Sequence, residues 1–167
     1  MLPTSWFLAA SNKRASDEES RHRHFSRYDE FMAQRIIIAL EKPLPDAEVA
    51  YAKVSSGKAL GRELEKLDFA ARCRNIPSLT SRLSESQAAL IEQLKDQGFD
   101  PSKMRLPVEQ WYSASEGLTI LRTLAEYVNA KLNDFKQPNP ILRDLKAAEA
   151  LLAAAQAANA QFHFTKA

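Results

Sequence analysis

Apolar residues along this chain fall into segments of two different periods. RIIIAL, 35 to 40, sets three consecutive isoleucines in a short run bounded by EKPLPD. β-Branched residues in such a run predict a strand covered on both faces. Pro43 and Pro45 end it, since neither has an amide hydrogen to give to a ladder, and a loop is expected to about Asp46. VAYAKV, 49 to 54, fits a second strand or a helical turn. Ser55 or Ser56 can then cap a helix on which Leu60, Leu64, Leu67 and Ala71 recur at helical spacing.

The next two helices are predicted from paired start and stop signals. Ser84 and Gln87 have capping-box spacing ahead of Leu90, Ile91 and Leu94, and Gly98 suits a left-handed ending with Phe99 returning toward Leu94. That predicts a helix over 85–97. After the turn-rich DPSKMRLPVEQ, Ser113 and Glu116 repeat the spacing, so Glu116 is expected to reach back to the serine amide at the positive helix end. Gly117 is expected to let Trp111 or Tyr112 lie against this first turn, ahead of a central helix carrying Leu118, Leu121, Leu124, Ala125, Val128 and Leu132.

KQPNP is turn chemistry, with Asn139 as N-cap and Pro140 at the first helical position, and the alanine-rich helix that follows, carrying Ile141, Leu142, Leu145, Leu151 and Leu152, is expected to end near Asn159. QFHFT, 161 to 165, alternates Phe162 and Phe164 against Gln161, His163 and Thr165, the period of a half-buried strand. Together these predict an α+β, helix-rich single domain: about four helices on a small sheet whose strands lie near Ile36–Ile38 and Phe162–Phe164, paired in a direction left open.

Composition narrows this only a little. A chain of 167 residues with 26% charged and 45% apolar side chains is ordinary for one globular domain. A net charge of +2, from 23 cations against 21 anions, demands no polyanionic partner. Residues 1–31 hold five Lys/Arg and five Asp/Glu with little periodic apolar content, so a mobile tail is expected there and one domain over 32–167. Met32 stands just before the first core-like segment, and an upstream start codon would explain the tail. The opening MLPTSWFLAA lacks the basic region of a signal peptide, no apolar run is long enough for a membrane span, and Cys73 is the single cysteine. A cytoplasmic protein without a membrane anchor is expected.

Candidate chemistry is sparse. SSGKAL, 55 to 60, has a glycine and lysine at a helix start, but alanine occupies both position 52 and position 59, where a phosphate loop needs glycine and a hydroxyl. A capped helix start, with at most a weak anion site, is the reading. His22 and His24 lie among arginines and make a poor metal site. No metal and no cofactor is expected. Cys73, between Arg72 and Arg74, is read as a buried helix-end thiol. His163, on the polar face of the last strand, is the candidate for a small enzyme if a carboxylate stands nearby. Between Lys58 and Arg82 lie six basic and three acidic residues, and Arg62, Lys66, Arg72, Arg74 and Arg82 form a candidate nucleic-acid face lacking interleaved aromatics. Tyr51, Trp111 and Tyr112 are the candidate contacts to a protein partner, because aromatic side chains are frequent anchors.

GKALGRELEKLD (57–68), LPVEQWYSASEGL (106–118), ILRDLKAAEALLAAA (141–155) and the closing QFHF resemble a set of small bacterial proteins of unassigned role. The resemblance runs from about Met32 onward and implies a bacterial cytosolic domain, with no reaction or site residue. Because the residues give core and cap signals but no assembled catalytic set, a non-enzymatic interaction or regulatory module is the leading expectation.

Overall fold

A computed structural model describes residues 34–167. The expected tail, His22, His24 and Met32 lie outside the described residues. The isoleucine run forms strand β1 (Ile36–Leu40) and the phenylalanine-bearing end forms β3 (Gln161–Lys166). They pair antiparallel, with Ile38 opposite Phe164 and Leu40 opposite Phe162. A two-residue strand, β2 (Tyr112–Ser113), joins the other side of β3, so the sheet order is β1-β3-β2.

Six helices pack with this sheet among the described residues: α1 (Pro45–Val54), α2 (Lys58–Arg62), α3 (Leu64–Cys73), α4 (Gln87–Asp96), α5 (Ala114–Ala130) and α6 (Pro138–Ala157). Two exceed the four expected. The loop anticipated through Asp46 is already helical, because Pro45 occupies the first turn, where a missing amide costs nothing, and Asp46 and Glu48 sit at the positive end. VAYAKV is thus a helix. The single helix expected through Leu60 and Ala71 is parted at Glu63, although amide bonds from Glu63 to Ala59 and from Leu67 to Glu63 carry the spiral across. Glu63 is buried, and its carboxylate holds Lys66 at 3.0 Å and the Lys136 amide at 3.3 Å.

Other boundaries move for local reasons. α4 is capped by Ser86, which accepts from the Ala89 amide, while Ser84 accepts from the Gln110 amide and Gln87 donates to the Pro107 carbonyl. The expected Ser84–Gln87 box is therefore corrected. α6 begins at Pro138 with Gln137 as its cap, ahead of the expected Asn139 and Pro140. Helix ends follow one device: after α3, α4 and α6 the chain turns through left-handed Asn75, Gly98 and Asn159, and the next amide bonds back to Ala71, Leu94 and Ala155. Each is a Schellman ending, satisfying carbonyls a helix otherwise leaves open.

The core lies where α5 and α6 pack on each other and on the Phe162 and Phe164 side of β3. Leu121, Leu124, Leu145, Leu152, Phe162 and Phe164 are essentially solvent-free. Gly117 is the tight point. A Cβ there would stand 2.5 Å from Leu152 and from the Phe162 ring, so these two side chains, rather than the expected Trp111 or Tyr112, press closest on the glycine. On the far edge of β1, Ile36 donates to the carbonyl of Gly57, whose φ is +68°. Side chains at Gly57 or Gly61 would strike the carbonyls of Ile36 and Gln34, so this edge is closed by two glycines.

Candidate interaction site

Between the short Thr80–Arg82 turn and β2 the chain makes a long excursion that meets the core through Leu83 at its start and Tyr112 at its end. From Thr80 through Ser113 no residue is buried, although the stretch contains an amphipathic helix. Leu90, Ile91 and Leu94 of α4 are only half-buried, and α4 packs chiefly on the short Pro101–Lys103 turn. Phe99, Met104 and Val108 stand 56%, 46% and 77% exposed. Val49, Val54, Phe69 and Leu132 are exposed to a similar degree elsewhere, but Phe99, Met104 and Val108 follow closely on a half-covered helical stripe, which makes this stretch the candidate contact surface. Around them lie exposed Glu85, Glu92, Asp96 and Asp100 and exposed Lys95, Lys103 and Arg105.

This limb is fastened at its base. The Ser84 amide donates to the Phe164 carbonyl at 2.9 Å, and the Gln110 amide donates to the Ser84 hydroxyl at 2.9 Å, tying the outgoing and returning chains together. On the returning chain, Glu109 meets His163 Nε2 at 2.9 Å and Trp111 lies on the imidazole with ring centres 4.5 Å apart. His163, expected on an open polar face, is instead 0% exposed. Alternation along β3 does put it opposite the phenylalanines, but Glu109 and Trp111 cover that side. Tyr112 stands between the Arg82 guanidinium, 4.6 Å away, and Phe162. Arg82 also grips Glu116 at 2.6 and 3.2 Å. Ser113 does accept from the Glu116 amide, but the carboxylate turns to Arg82, not to the serine amide.

The remaining candidates scatter. Tyr51 is buried in the core, so its ring offers no surface to a partner. Of the basic set, Lys66 pairs with Glu63 and donates to the Asp134 carbonyl, Arg82 pairs with Glu116, Arg74 lies over Tyr127, and Arg72 lies over Phe69. Phe69 is an exposed aromatic within that stretch. Arg62 is exposed and also engaged. Cys73, expected to be buried, is exposed at the end of α3. A shallow depression by Leu44, Pro45, Asp46, Ala47 and Ala154 gathers a single carboxylate and no converging polar set.

One polar group escaped the sequence reading. Asp144 is 1% exposed, and neither carboxylate oxygen completes a hydrogen bond. Burial pushes its pKa up, opposed by the Ser55 hydroxyl, by Arg143 and by the amides of Ala59 and Ser56. Burial likewise raises the Tyr51 hydroxyl, with Ser55 opposing and Asp144 adding to the rise. The carboxyl that Ser55, Ser56 and Ala59 of SSGKAL influence is thus the chain's own Asp144. The signal was legible: Ile141, Asp144, Leu145 and Ala148 share one helical stripe.

Among the described residues no three His, Cys, Asp or Glu side chains gather to hold a metal ion, and no helix is long and apolar enough to cross a membrane. No family model, curated protein or solved structure matches the chain.

Proposed function

We propose that this is a non-enzymatic interaction module, bacterial and cytoplasmic, that docks a partner protein on the 84–110 limb, with Trp111 and Tyr112 at its root. The observation that carries this is the run from Thr80 to Ser113, which has no fully buried residue yet holds out Phe99, Met104 and Val108 beside a half-covered amphipathic helix. An amphipathic helix with an open stripe is a common recognition element. With Glu109 held by His163, the limb exposes four acidic side chains and three basic ones, so the partner is read as an apolar surface with a rim of mixed charge, cationic by a small excess. Two other readings have less support. For nucleic-acid binding through Arg62, Lys66, Arg72, Arg74 and Arg82, the charges of Lys66 and Arg82 are already partnered; for catalysis by His163, the imidazole is out of reach of solvent.

The test is site-specific photo-crosslinking of the full chain in its native cell, with the reactive residue at Phe99 or Val108 and, as control, at exposed Glu126 on α5. A discrete adduct from the limb positions, absent from the control and lost on Leu94→Asp, is expected. Equal labelling at all three positions, or none, would overturn the proposal, and an adduct of twice the chain's mass would replace the partner by a second copy.

A further inference from the structure

The imidazole of His163 faces two acceptors. Nδ1 lies 3.1 Å from the Phe164 carbonyl and Nε2 lies 2.9 Å from Glu109 Oε1. An imidazole with one N–H can satisfy only one of them, whereas imidazolium donates from both nitrogens. The same Phe164 carbonyl accepts the amide of Ser84, where the limb leaves the sheet, and Glu109 sits where it returns. The ring therefore touches the returning chain directly and shares with the departing chain its acceptor on β3.

We propose that His163 and Glu109 form a proton-dependent clasp across the base of the 84–110 limb, closed when the ring is doubly protonated and loosened when it is neutral. In the closed form the Nδ1 hydrogen goes to the Phe164 carbonyl and the Nε2 hydrogen to Glu109, with the Trp111 ring tilted against the cation at 4.5 Å. Loss of one proton leaves a ring lone pair facing an acceptor, either carboxylate or carbonyl. The carboxylate has the way out, since the Glu109 side chain is 21% exposed while His163 is 0% exposed. Glu109 is the charged group in contact with the ring. Arg82 and Glu116, beyond Tyr112, are paired with each other. Glu41, whose amide bonds to Gln161, shares the His163 face of the β1–β3 pair by alternation, and Lys166 falls on the other face. The clasp rests on this hydrogen-bond pattern and holds whatever the limb binds.

Amide hydrogen exchange of the full chain, followed peptide by peptide from pH 5 to 8.5 and corrected for intrinsic rates, tests it. Peptides from 84–110 are expected to lose protection by about tenfold or more as pH rises, the scale of one charged hydrogen bond, while α5 and α6 stay protected. Glu109→Gln is the decisive variant. Its amide can donate to a neutral Nε2 while Nδ1–H keeps the carbonyl, so the limb should stay closed at pH 8.5 and the pH step should vanish. His163→Gln should likewise abolish the step, with the limb open or closed at all pH values. A wild-type limb with no pH step, or an unchanged step in Glu109→Gln, overturns the clasp.

Discussion

Gly117→Ala separates two physical effects of opposite sign. In a helix interior, alanine is favoured over glycine by about 0.5–1 kcal/mol, so an uncrowded site would be stabilised. At Gly117 the new methyl would stand 2.5 Å from Leu152 Cδ1 and from Cε1 and Cζ of Phe162, about an ångström inside ordinary carbon contact. Neither neighbour has room to yield, since both are 0% exposed. Overpacking of this kind costs roughly 1–3 kcal/mol, which exceeds the propensity gain. The expected net is a loss of about 1–2 kcal/mol, read as a lower urea midpoint at constant slope by far-UV circular dichroism. Leu152→Ala alone should cost about 2–5 kcal/mol as a cavity, yet the double variant should lose less than the sum, because each change relieves the other. A more stable Gly117→Ala, or coupling to Trp111→Ala in place of Leu152→Ala, would refute this account of the packing.

Stability of the wild type relative to Asp144→Asn should fall as pH rises: the raised folded-state pKa means the folded chain holds the proton more tightly than the unfolded one, so the advantage is full below the ordinary carboxylate range and lost through the raised value. Chemical denaturation of both proteins at pH 5 and pH 8 reads it, and a difference that grows the other way contradicts it. A double-mutant cycle on Arg82→Ala and Glu116→Ala should return a coupling of about 1 kcal/mol or less, weakened by salt, because both groups are partly exposed. Asn159→Gly should raise the thermal midpoint slightly, since φ of +50° strains any residue with a Cβ. Leu94→Asp should cost under about 1 kcal/mol, whereas Leu124→Ala in the core should cost about 2–5 kcal/mol; equal losses would place α4 in the core.

What could be read from the chain divides by the range of the interaction. Ile36–Ile38 and Phe162–Phe164 identified their own strands, and Gly98 and Asn159 marked helix ends, because period and backbone preference are local. Glu116 and Ser84 misled for the same reason: their spacing matches a capping box, but Arg82 and Gln110 reach them from across the fold. His163 was assigned to an open face because nothing in QFHFT reveals that Glu109 and Trp111 fold over it. Asp144 could have been found, since its place in an apolar stripe is visible without coordinates. Tyr51 could not be placed while VAYAKV stayed undecided between helix and strand.

The pairing of β1 with β3 also constrains how the molecule assembles. α5 and α6 are neighbours in the chain and can meet early, and β3 follows α6 directly. β1 is made long before β3, and among the described residues outside β3 the glycine at position 57 is what offers it a nearby carbonyl. The triple-isoleucine segment must therefore wait, without its partner strand, until nearly all of the described chain has left the ribosome. Slow joining of the first strand to the last is the kinetic signature this topology imposes.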